Sequence, residues 1–273
     1  MRLTLTAFVV LTPLFVRGSD APAPAPHADR NVTPKDSART FPCLRATKPP
    51  TIDGKLDEED WKNAPKQKFV IGWAKNPKDQ EPAHGATVRM LWDDDYIYFA
   101  GELEDVDIFA DVTKHDGDTW TNDCFELFIK PNAANPVYFE FHVTAANVTT
   151  DIKYPYPGKK PDAESVGWDS HMKSAVQIDG TLNKRDDTDK GWTVEIRIPW
   201  SDFADIAARP KAGERWAFCA GRYDYTGKEP PVNSATALLT QCNFHRVQEY
   251  DWIEFVDKAP SGAEQGASEK KEK

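Results

Sequence analysis

The polar loop 115–123, HDGDTWTND, contains one aromatic residue, Trp120, just before an apolar run. Loops on a rigid sheet often present functional side chains, and an indole ring offers a flat apolar face with one N–H donor. Trp120 is therefore a candidate platform for a ligand with an apolar face, such as a sugar. The alternative is that Trp120 covers the edge of the core.

Glu126 and His142 are two further candidates for binding, because each falls inside a predicted strand. Glu126 shares its strand face with Cys124 and Phe128, and a carboxylate on an apolar surface must be paired or hydrogen-bonded. A sugar hydroxyl could satisfy Glu126, and so could an ion pair with Arg222. His142 is either a ligand-binding residue or a hydrogen-bonded structural histidine.

Patterns typical of catalysis are weak or missing in the sequence. Asp123 and Glu126 are three residues apart, so in a strand they point to opposite faces and do not form the carboxylate pair of a glycosidase. The sequence has no G-x-S-x-G elbow, no glycine-rich phosphate loop and no H-E-x-x-H motif. Binding without catalysis is the better prediction.

The four cysteines do not show the close C-x-x-C spacing of zinc or redox sites. Export would place the cysteines in an oxidising compartment where disulfides form, and four cysteines allow three pairings. Sequence alone does not choose among these pairings, and buried free thiols are the alternative. The cysteines are Cys43, Cys124, Cys219 and Cys242.

Short runs of β-branched and aromatic residues separated by turn residues dominate the middle of the chain and predict many strands. Two short helices are predicted, over residues 56–63 and 201–207, the second with Ser201 as its N-cap. Many strands with few helices predict an all-β fold, an antiparallel two-sheet β-sandwich of the jelly-roll or immunoglobulin-like kind. The strands are predicted at 88–91, 96–101, 124–129, 137–144, 148–154, 174–178, 192–198, 215–225 and 252–256.

The ends of the chain do not have the pattern of a fold. Residues 1–25 read as a signal peptide and the start of an Ala/Pro linker, residues 26–40 as a flexible linker, and residues 258–273 as a disordered polar tail. One domain is therefore expected at 41–257, in an exported protein that is extracellular, periplasmic or in the cell envelope. The formal net charge of −10 argues against binding to nucleic acid or an anionic membrane, and no membrane insertion is expected.

Six segments in order carry a resemblance to family 9 carbohydrate-binding modules and their stand-alone, DOMON-like relatives. The opening IDGKLDEEDW resembles the family's IDG-x-x-D-E-x-x-W, and WTNDCFELFI resembles its W-x-x-D-x-V-E-I-F-I. The resemblance covers nearly all of residues 41–256. The segments are 52–61, 88–98, 120–129, 138–141, 179–183 and 191–200.

The resemblance implies a β-sandwich that binds a glycan or polysaccharide, in the best-known members at a chain end held between two aromatic rings. By position, Trp120 resembles the first ring and Glu126 the carboxylate that accepts sugar hydroxyls. His142 stands where the module has an arginine, and Phe244 is nearest to the second ring. The remaining candidates are Arg222, an arginine recurrent in the stand-alone group, and the polar neighbours Gln241 and Asn243.

The resemblance also implies that structural calcium could be bound, with acidic loops as oxygen ligands. The acids are Asp105, Asp107, Asp116 and Asp118. Three other functions compete with glycan binding. They are haem binding through Met90 or Met172 with a histidine, an envelope scaffold that has lost sugar affinity, and an unrecognised glycoside-active enzyme.

Overall fold

The computed structural model describes residues 27–227 and 229–257. The predicted signal peptide and Ala/Pro segment at 1–25 and the predicted tail at 258–273 lie outside the described residues. No described helix is long and apolar enough to cross a membrane. Residues 27–39, predicted as a flexible linker, contact the folded body: Lys130 donates to the Asn31 amide oxygen, and the Trp252 indole donates to the Lys35 carbonyl.

The described chain is mostly β-structure, as predicted, with few and short helices. Its two α-helices are α1 (Glu59–Asn63) and α2 (Ala163–Val166). Its strands are β1 (Thr40–Arg45), β2 (Gln67–Lys68), β3 (Ala86–Trp92), β4 (Tyr96–Glu104), β5 (Cys124–Lys130), β6 (Tyr138–Thr144), β7 (Thr149–Tyr154), β8 (Lys173–Asp179), β9 (Gly191–Pro199), β10 (Arg215–Asp224), β11 (Val232–Ala235) and β12 (Asp251–Val256).

The strands form one mixed sheet instead of two separate antiparallel sheets. Its order is β7-β6-β5-β10-β12-β1-β3-β4-β9-β8, with β11 beside β10 and β2 beside β3. Strand β1 runs parallel to both of its neighbours, β12 and β3, and joins the two halves of the sheet by hydrogen bonds. The predicted antiparallel two-sheet sandwich is therefore not confirmed. The pairing of β1 with β12 joins the first described strand to the last, and such a long-range pairing leaves no local pattern in the sequence.

The sheet curls so that side chains from its two halves meet in one principal core. Phe99 of β4 stacks on Phe218 of β10, with ring centroids 5.5 Å apart. Met90 and Met172, considered above as haem ligands, also pack in or against this core. On the other face of β5, β6 and β10, a second apolar cluster is covered by residues from 235 to 250. The rest of this second face is free to carry a site.

Of the two predicted helices, the first contains an α-helix and the second contains a 3-10 turn. Helix α1 lies inside the predicted range and buries Trp61. At the second range the structure has a 3-10 turn, Trp200–Phe203, and Pro199 is the residue at its N-cap without a side-chain hydrogen bond. The N-cap prediction for Ser201 was therefore wrong. All four cysteines are free, and Cys242 alone among them is exposed.

Candidate functional site

Three neighbouring strands align polar side chains on the second face of the sheet. Glu126 of β5 lies opposite His142 of β6, and His142 lies opposite Thr150 of β7. Side chains in a strand alternate between faces, so Glu140, two residues from His142, shares this face. Glu126, Glu140 and His142 are 2%, 5% and 2% exposed. A buried acid–histidine–acid cluster is the result.

The His142 imidazole uses both of its nitrogens within the protein. Nε2 lies 2.7 Å from Glu140 Oε1 and 3.2 Å from Glu126 Oε1. Thr150 donates to the Gly117 carbonyl and Thr119 donates to Thr150, so the Thr119 oxygen accepts from His142 Nδ1 at 2.7 Å. Both nitrogens therefore donate, which is the state of a charged imidazolium.

The charges of the cluster follow from burial and from these close contacts. Burial opposes the charge on His142, but the carboxylates of Glu126 and Glu140 outweigh it and raise the pKa of His142 to about 9. Burial raises the pKa of Glu126 to about 8. Burial would also raise the pKa of Glu140, but the His142 charge and hydrogen bond hold it below its ordinary value. His142 and Glu140 therefore form the ion pair, and Glu126 is the carboxyl that gains a proton.

Acceptor oxygens outnumber donors in the cluster. One N–H, that of His142 Nε2, faces oxygens of both Glu126 and Glu140. The buried Oε2 atom of Glu140 accepts no well-formed hydrogen bond within residues 27–227 and 229–257, and the Tyr154 hydroxyl is the other donor that faces this carboxylate. Unpaired buried polar atoms cost free energy, so the cluster is completed best by a ligand that brings donors.

Trp120 lies beside the cluster in a 3-10 turn, Thr119–Thr121. Its ring is 41% exposed and meets the His142 ring edge-on, with centroids 6.5 Å apart. The turn is fixed on both sides. Thr119 is bonded to His142, and the Asp123 carboxylate accepts from the backbone N–H groups of Phe109 and Tyr225. The turn that carries the exposed indole is thus anchored beside the cluster.

These residues line a pocket of about 270 Å³. Trp120 stands at its exposed side, and Glu126, Glu140 and His142 are buried at its base. The remaining walls are Ile152, Tyr154, Pro161, Tyr223 and His245. The Tyr154 ring is braced by stacking on Tyr138 at 4.6 Å, and Tyr138 O–H lies 3.0 Å from His245 Nδ1.

Arg222 does not belong to this pocket, contrary to the sequence prediction. Gly221 is the residue of β10 opposite Glu126, so Arg222 points to the other face. There Arg222 is 3.3 Å from Asp105 and 3.6 Å from Asp224, and it donates to backbone carbonyls. Its pairing with Glu126, the alternative considered above, is also wrong.

Gln241, Asn243 and Phe244 likewise do not line the pocket. The Gln241 side chain accepts from Arg246, and the Asn243 side chain accepts from the backbone of His245. Phe244 is 4% exposed and packs on Phe128 and Tyr223 in the second apolar cluster. The position predicted for a second stacking ring is therefore part of the core.

Sequence reasoning missed six pocket residues, of which four are polar or aromatic: Glu140, Tyr154, Tyr223 and His245. The alternation rule could have found Glu140, because it lies two residues before His142 in the same strand. His245 is the neighbour of the predicted Phe244. Tyr154 and Tyr223 come from strands distant in sequence, and only the register of β7 and β10 places them at the pocket.

The acids predicted as calcium ligands do not form such a set. Asp107 is paired with Arg185, and Asp105 groups with Asp123 and Asp224, all buried. The guanidinium of Arg222 already supplies a positive charge to Asp105 and Asp224, while Asp123 accepts two backbone N–H groups. Of the four predicted acids only Asp105 lies in this described cluster, and the single guanidinium offsets one of its three carboxylate charges.

A larger cleft of about 670 Å³ lies on the other half of the sheet. Charged side chains on its rim are paired with one another: Lys66 with Glu102 at 2.6 Å and Lys190 with Asp179 at 3.1 Å. The smaller pocket, by contrast, places an exposed indole beside buried carboxylates. The chemistry therefore favours the smaller pocket as the functional site.

Comparison with known families agrees with the architecture and with the ordered motifs. Residues 52–236 match the family model described as "Carbohydrate family 9 binding domain-like". The match covers more than half of the chain. The chain belongs to this family. Family 9 modules are binding domains without catalysis of their own, and residues 52–236 form such a binding domain.

Two curated relatives contain a matching region. The chain is 26% identical over 157 residues to endo-1,4-beta-xylanase A of Thermoanaerobacterium saccharolyticum and 26% identical over 155 residues to exoglucanase XynX of Acetivibrio thermocellus. Each match covers 56% of this chain but only 11% and 12% of the relatives. The chain thus spans about a tenth of the length of these enzymes.

Solved structures share the fold at low sequence identity. A family 9 module of Caldicellulosiruptor kristjanssonii, solved with cellotriose, has a TM-score of 0.56 at 14% identity and covers 83% of this chain and 98% of its own. The same organism's module with glucose has a TM-score of 0.56 at 15% identity, covering 81% and 97%. A Bacteroides uniformis protein described as a candidate carbohydrate-binding protein has a TM-score of 0.61 at 14% identity, covering 80% and 100%.

Proposed function

We propose that this family 9 domain binds a glycan in the 270 Å³ pocket, stacking a sugar ring on Trp120 and hydrogen-bonding its hydroxyls to Glu126 and Glu140. The observation that carries the proposal is an exposed indole on an anchored turn, beside a buried Glu140 oxygen that accepts no well-formed hydrogen bond among the described residues. Sugars have apolar C–H faces and many hydroxyl donors, which are the two features that such a pocket complements.

The role of His142 in this proposal is to position the two carboxylates. Both of its N–H groups are already used inside the protein, so it orients Glu126 and Glu140 instead of donating to the ligand. The affinity expected for one stacked ring with a few hydrogen bonds is in the micromolar to millimolar range, about −8 to −4 kcal/mol. Such a protein captures carbohydrate and assists its breakdown by separate enzymes.

We also propose that the protein works outside the cytoplasm. The support is the apolar stretch within residues 3–16, which has the length of a signal-peptide core and follows a basic residue. Glycan polymers are met in the extracellular space, the periplasm and the cell envelope. Fractionation of cells expressing the full chain tests this part, and recovery only in the cytoplasm would contradict it.

The test of sugar binding compares the wild type with Trp120→Ala on an array of soluble oligosaccharides, followed by calorimetry. Trp120→Ala should weaken binding at least ten-fold, about 1.4 kcal/mol, because it removes the stacking face. Leu238→Ala is the matched control, since Leu238 is an exposed apolar side chain, 53% accessible, that does not line the pocket.

Two results would contradict the proposal. If the folded wild type binds no sugar at millimolar concentrations, the protein is not a carbohydrate binder. If Trp120→Ala binds as well as Leu238→Ala, binding takes place elsewhere on the molecule. Thermal unfolding of both variants establishes that they are folded, and the exposed position of Trp120 predicts little loss of stability.

A further inference from the structure

We propose that the sugar held in this pocket is an amino sugar, whose ammonium group binds between Glu126 and Glu140. This inference rests on the proposed function and names the class of ligand more narrowly. The geometry that carries it is a buried pair of carboxylates sharing a single N–H, in a pocket with no lysine or arginine among its lining residues.

The count of donors and acceptors is the first argument. Glu126 and Glu140 bring four carboxylate oxygens, and two protein donors face them, His142 Nε2–H and the Tyr154 hydroxyl beside Glu140. Glu140 Oε2 is buried and accepts no well-formed hydrogen bond in the part of the chain that the structure describes. An ammonium group offers three donors and no acceptor, whereas a hydroxyl offers one donor and must itself be placed as an acceptor. The ammonium is therefore the better complement.

Charge is the second argument. The ion pair of His142 with Glu140 is neutral, so Glu126 stays protonated in the empty pocket and its ionisation would need a compensating positive charge. Arg222, the nearest arginine along β10, faces the opposite side of the sheet and is paired with Asp105 and Asp224 there. A cationic ligand would supply the missing charge, and charge-assisted hydrogen bonds are about twice as strong as neutral ones.

Trp120 fits the same ligand. Its ring stands at the exposed side of the pocket, edge-on to His142, so its face is available to the bound molecule. Indole is the strongest of the side-chain partners for a cation placed over a ring face. A protonated amino sugar would thus meet both carboxylates and an aromatic face in one small pocket.

Proton release should accompany binding of the cation. The groups that face Glu126 are His142 and Glu140 from β6, Tyr223 from β10, Tyr154 from β7, Cys124 of its own strand and His245. Burial raises the pKa of Glu126 to about 8, so this carboxyl carries a proton at pH 6. An ammonium group beside it would lower that pKa and release the proton, whereas a neutral sugar would leave it bound.

The experiment compares matched ligands on the wild-type protein by calorimetry at pH 6, where the amine is charged. The pairs are glucosamine with glucose, galactosamine with galactose and mannosamine with mannose, together with each N-acetylated amine. We expect at least ten-fold tighter binding of the amine in at least one pair. N-acetylation should remove the gain, and repeated titrations in buffers of different ionisation enthalpy should show about one proton released with the amine alone.

Variants then assign the preference to the two carboxylates. Glu126→Gln and Glu140→Gln should each lose most of the preference for the amine while neutral-sugar binding changes only a few-fold. Glu164→Gln is the control, because Glu164 is an exposed acid of α2 close in sequence to the pocket residue Pro161 but does not line the pocket. It should keep the full preference.

The outcomes separate this inference from the proposed function. Neutral sugars that bind as tightly as the amines in every pair would overturn the amino-sugar inference and leave glycan binding intact. Variants that keep the amine preference would overturn its assignment to Glu126 and Glu140. If neither amines nor neutral sugars bind, both proposals fail. If a variant does not fold, the matched pairs on the wild type still decide the inference.

Discussion

At the scale of single residues, the Glu126–His142–Glu140 cluster shows how a histidine fits the position at which the family resemblance implies an arginine. An arginine there would bring five donors, some of them free for a ligand. His142 brings two, and both are used by Thr119 and Glu140. The substitution therefore changes the base of the pocket from a source of donors into a source of acceptors.

Replacement of Thr119 should affect both the His142 cluster and the Trp120 ring. Thr119→Val keeps the shape but removes the oxygen that accepts from His142 Nδ1. A buried N–H would lose its partner, so the free energy of unfolding should fall by about 1–3 kcal/mol. Urea denaturation measures this loss, and calorimetry should show weaker glycan binding because Trp120 is the next residue.

Thr121→Val is the matched control in the same turn, because the Thr121 side chain is exposed and bonds only to a nearby carbonyl. It should cost less than about 1 kcal/mol. A Thr119→Val protein as stable as Thr121→Val would show that the hydroxyl chain does not hold His142.

At the scale of elements, the segment before α1 is attached to β9 by the side chains of Glu195 and Thr193, and Thr193 donates to the Gly54 carbonyl. The Glu195 carboxylate accepts from the backbone N–H groups of Asp53 and Gly54 and from the Trp61 indole, at 2.8–2.9 Å. This explains the IDG motif. Gly54 has φ +83°, and an added Cβ would lie 2.8 Å from the backbone of β8, so the position requires glycine.

Removal of this acceptor should release the whole segment. Glu195→Ala leaves three donors without partners, two of them buried, the Gly54 N–H and the Trp61 indole, so we expect the free energy of unfolding to fall by about 3 kcal/mol or more. Urea denaturation is the measurement. Asp179→Ala serves as the control because Asp179 is an exposed residue of β8 paired with the exposed Lys190, and it should cost less than about 1 kcal/mol. Equal losses in the two variants would contradict the role given to Glu195.

Strand β10 is fitted to the segment that covers it through Gly221. A Cβ at this position would lie 2.8 Å from the Phe244 ring. Gly221→Ala should therefore destabilise the protein by about 1–3 kcal/mol through overpacking. It should also displace Tyr223, which packs on Phe244 and lines the pocket.

The smaller side chain in the double variant Gly221→Ala/Phe244→Leu should recover part of this stability, as measured by thermal unfolding. A double variant less stable than the sum of the two single changes would argue against a direct clash. The result also tests the placement of Phe244 in the core, since a ring that stacks on ligand would tolerate the added methyl group.

At the scale of the whole molecule, many buried ionisable groups couple stability to pH. Burial raises the pKa of Glu195 to about 7, of Asp123 to about 8 and of Asp251 to about 6. Such acids stabilise the fold most below their ordinary pKa, and this contribution is lost as pH rises through the folded value. His142, whose pKa is raised to about 9, acts in the same direction.

We therefore expect the free energy of unfolding to fall between about pH 5 and pH 9. On the acid side, the Arg246 hydrogen bond lowers the pKa of Glu249 to about 2, so its contribution is present above the ordinary value of 4.5 and is lost as pH falls towards 2. Stability should be greatest near pH 5. Urea denaturation across this range checks the profile, and a maximum above pH 8 would contradict it.

The sequence by itself determined the strand content, the approximate strand positions, the family and three pocket residues, Trp120, Glu126 and His142. Side chains alternate between the two faces of a strand, and this alternation is a local property. The residue pattern alone could therefore tell which neighbours share a face with Glu126 and with His142. Motif order gave the family because six short segments matched in sequence.

Only the tertiary structure decided which side chains meet. Pairings between residues far apart in the chain decide three features. These are the parallel position of β1, the placement of the Arg222 side chain on the opposite face of the sheet, and the burial of Phe244. A shift of one residue in register moves a side chain to the opposite face, and the sequence near Arg222 does not record its register against β5. The joining of Glu140, Tyr154, Tyr223 and His245 into one pocket is decided by the same long-range pairing.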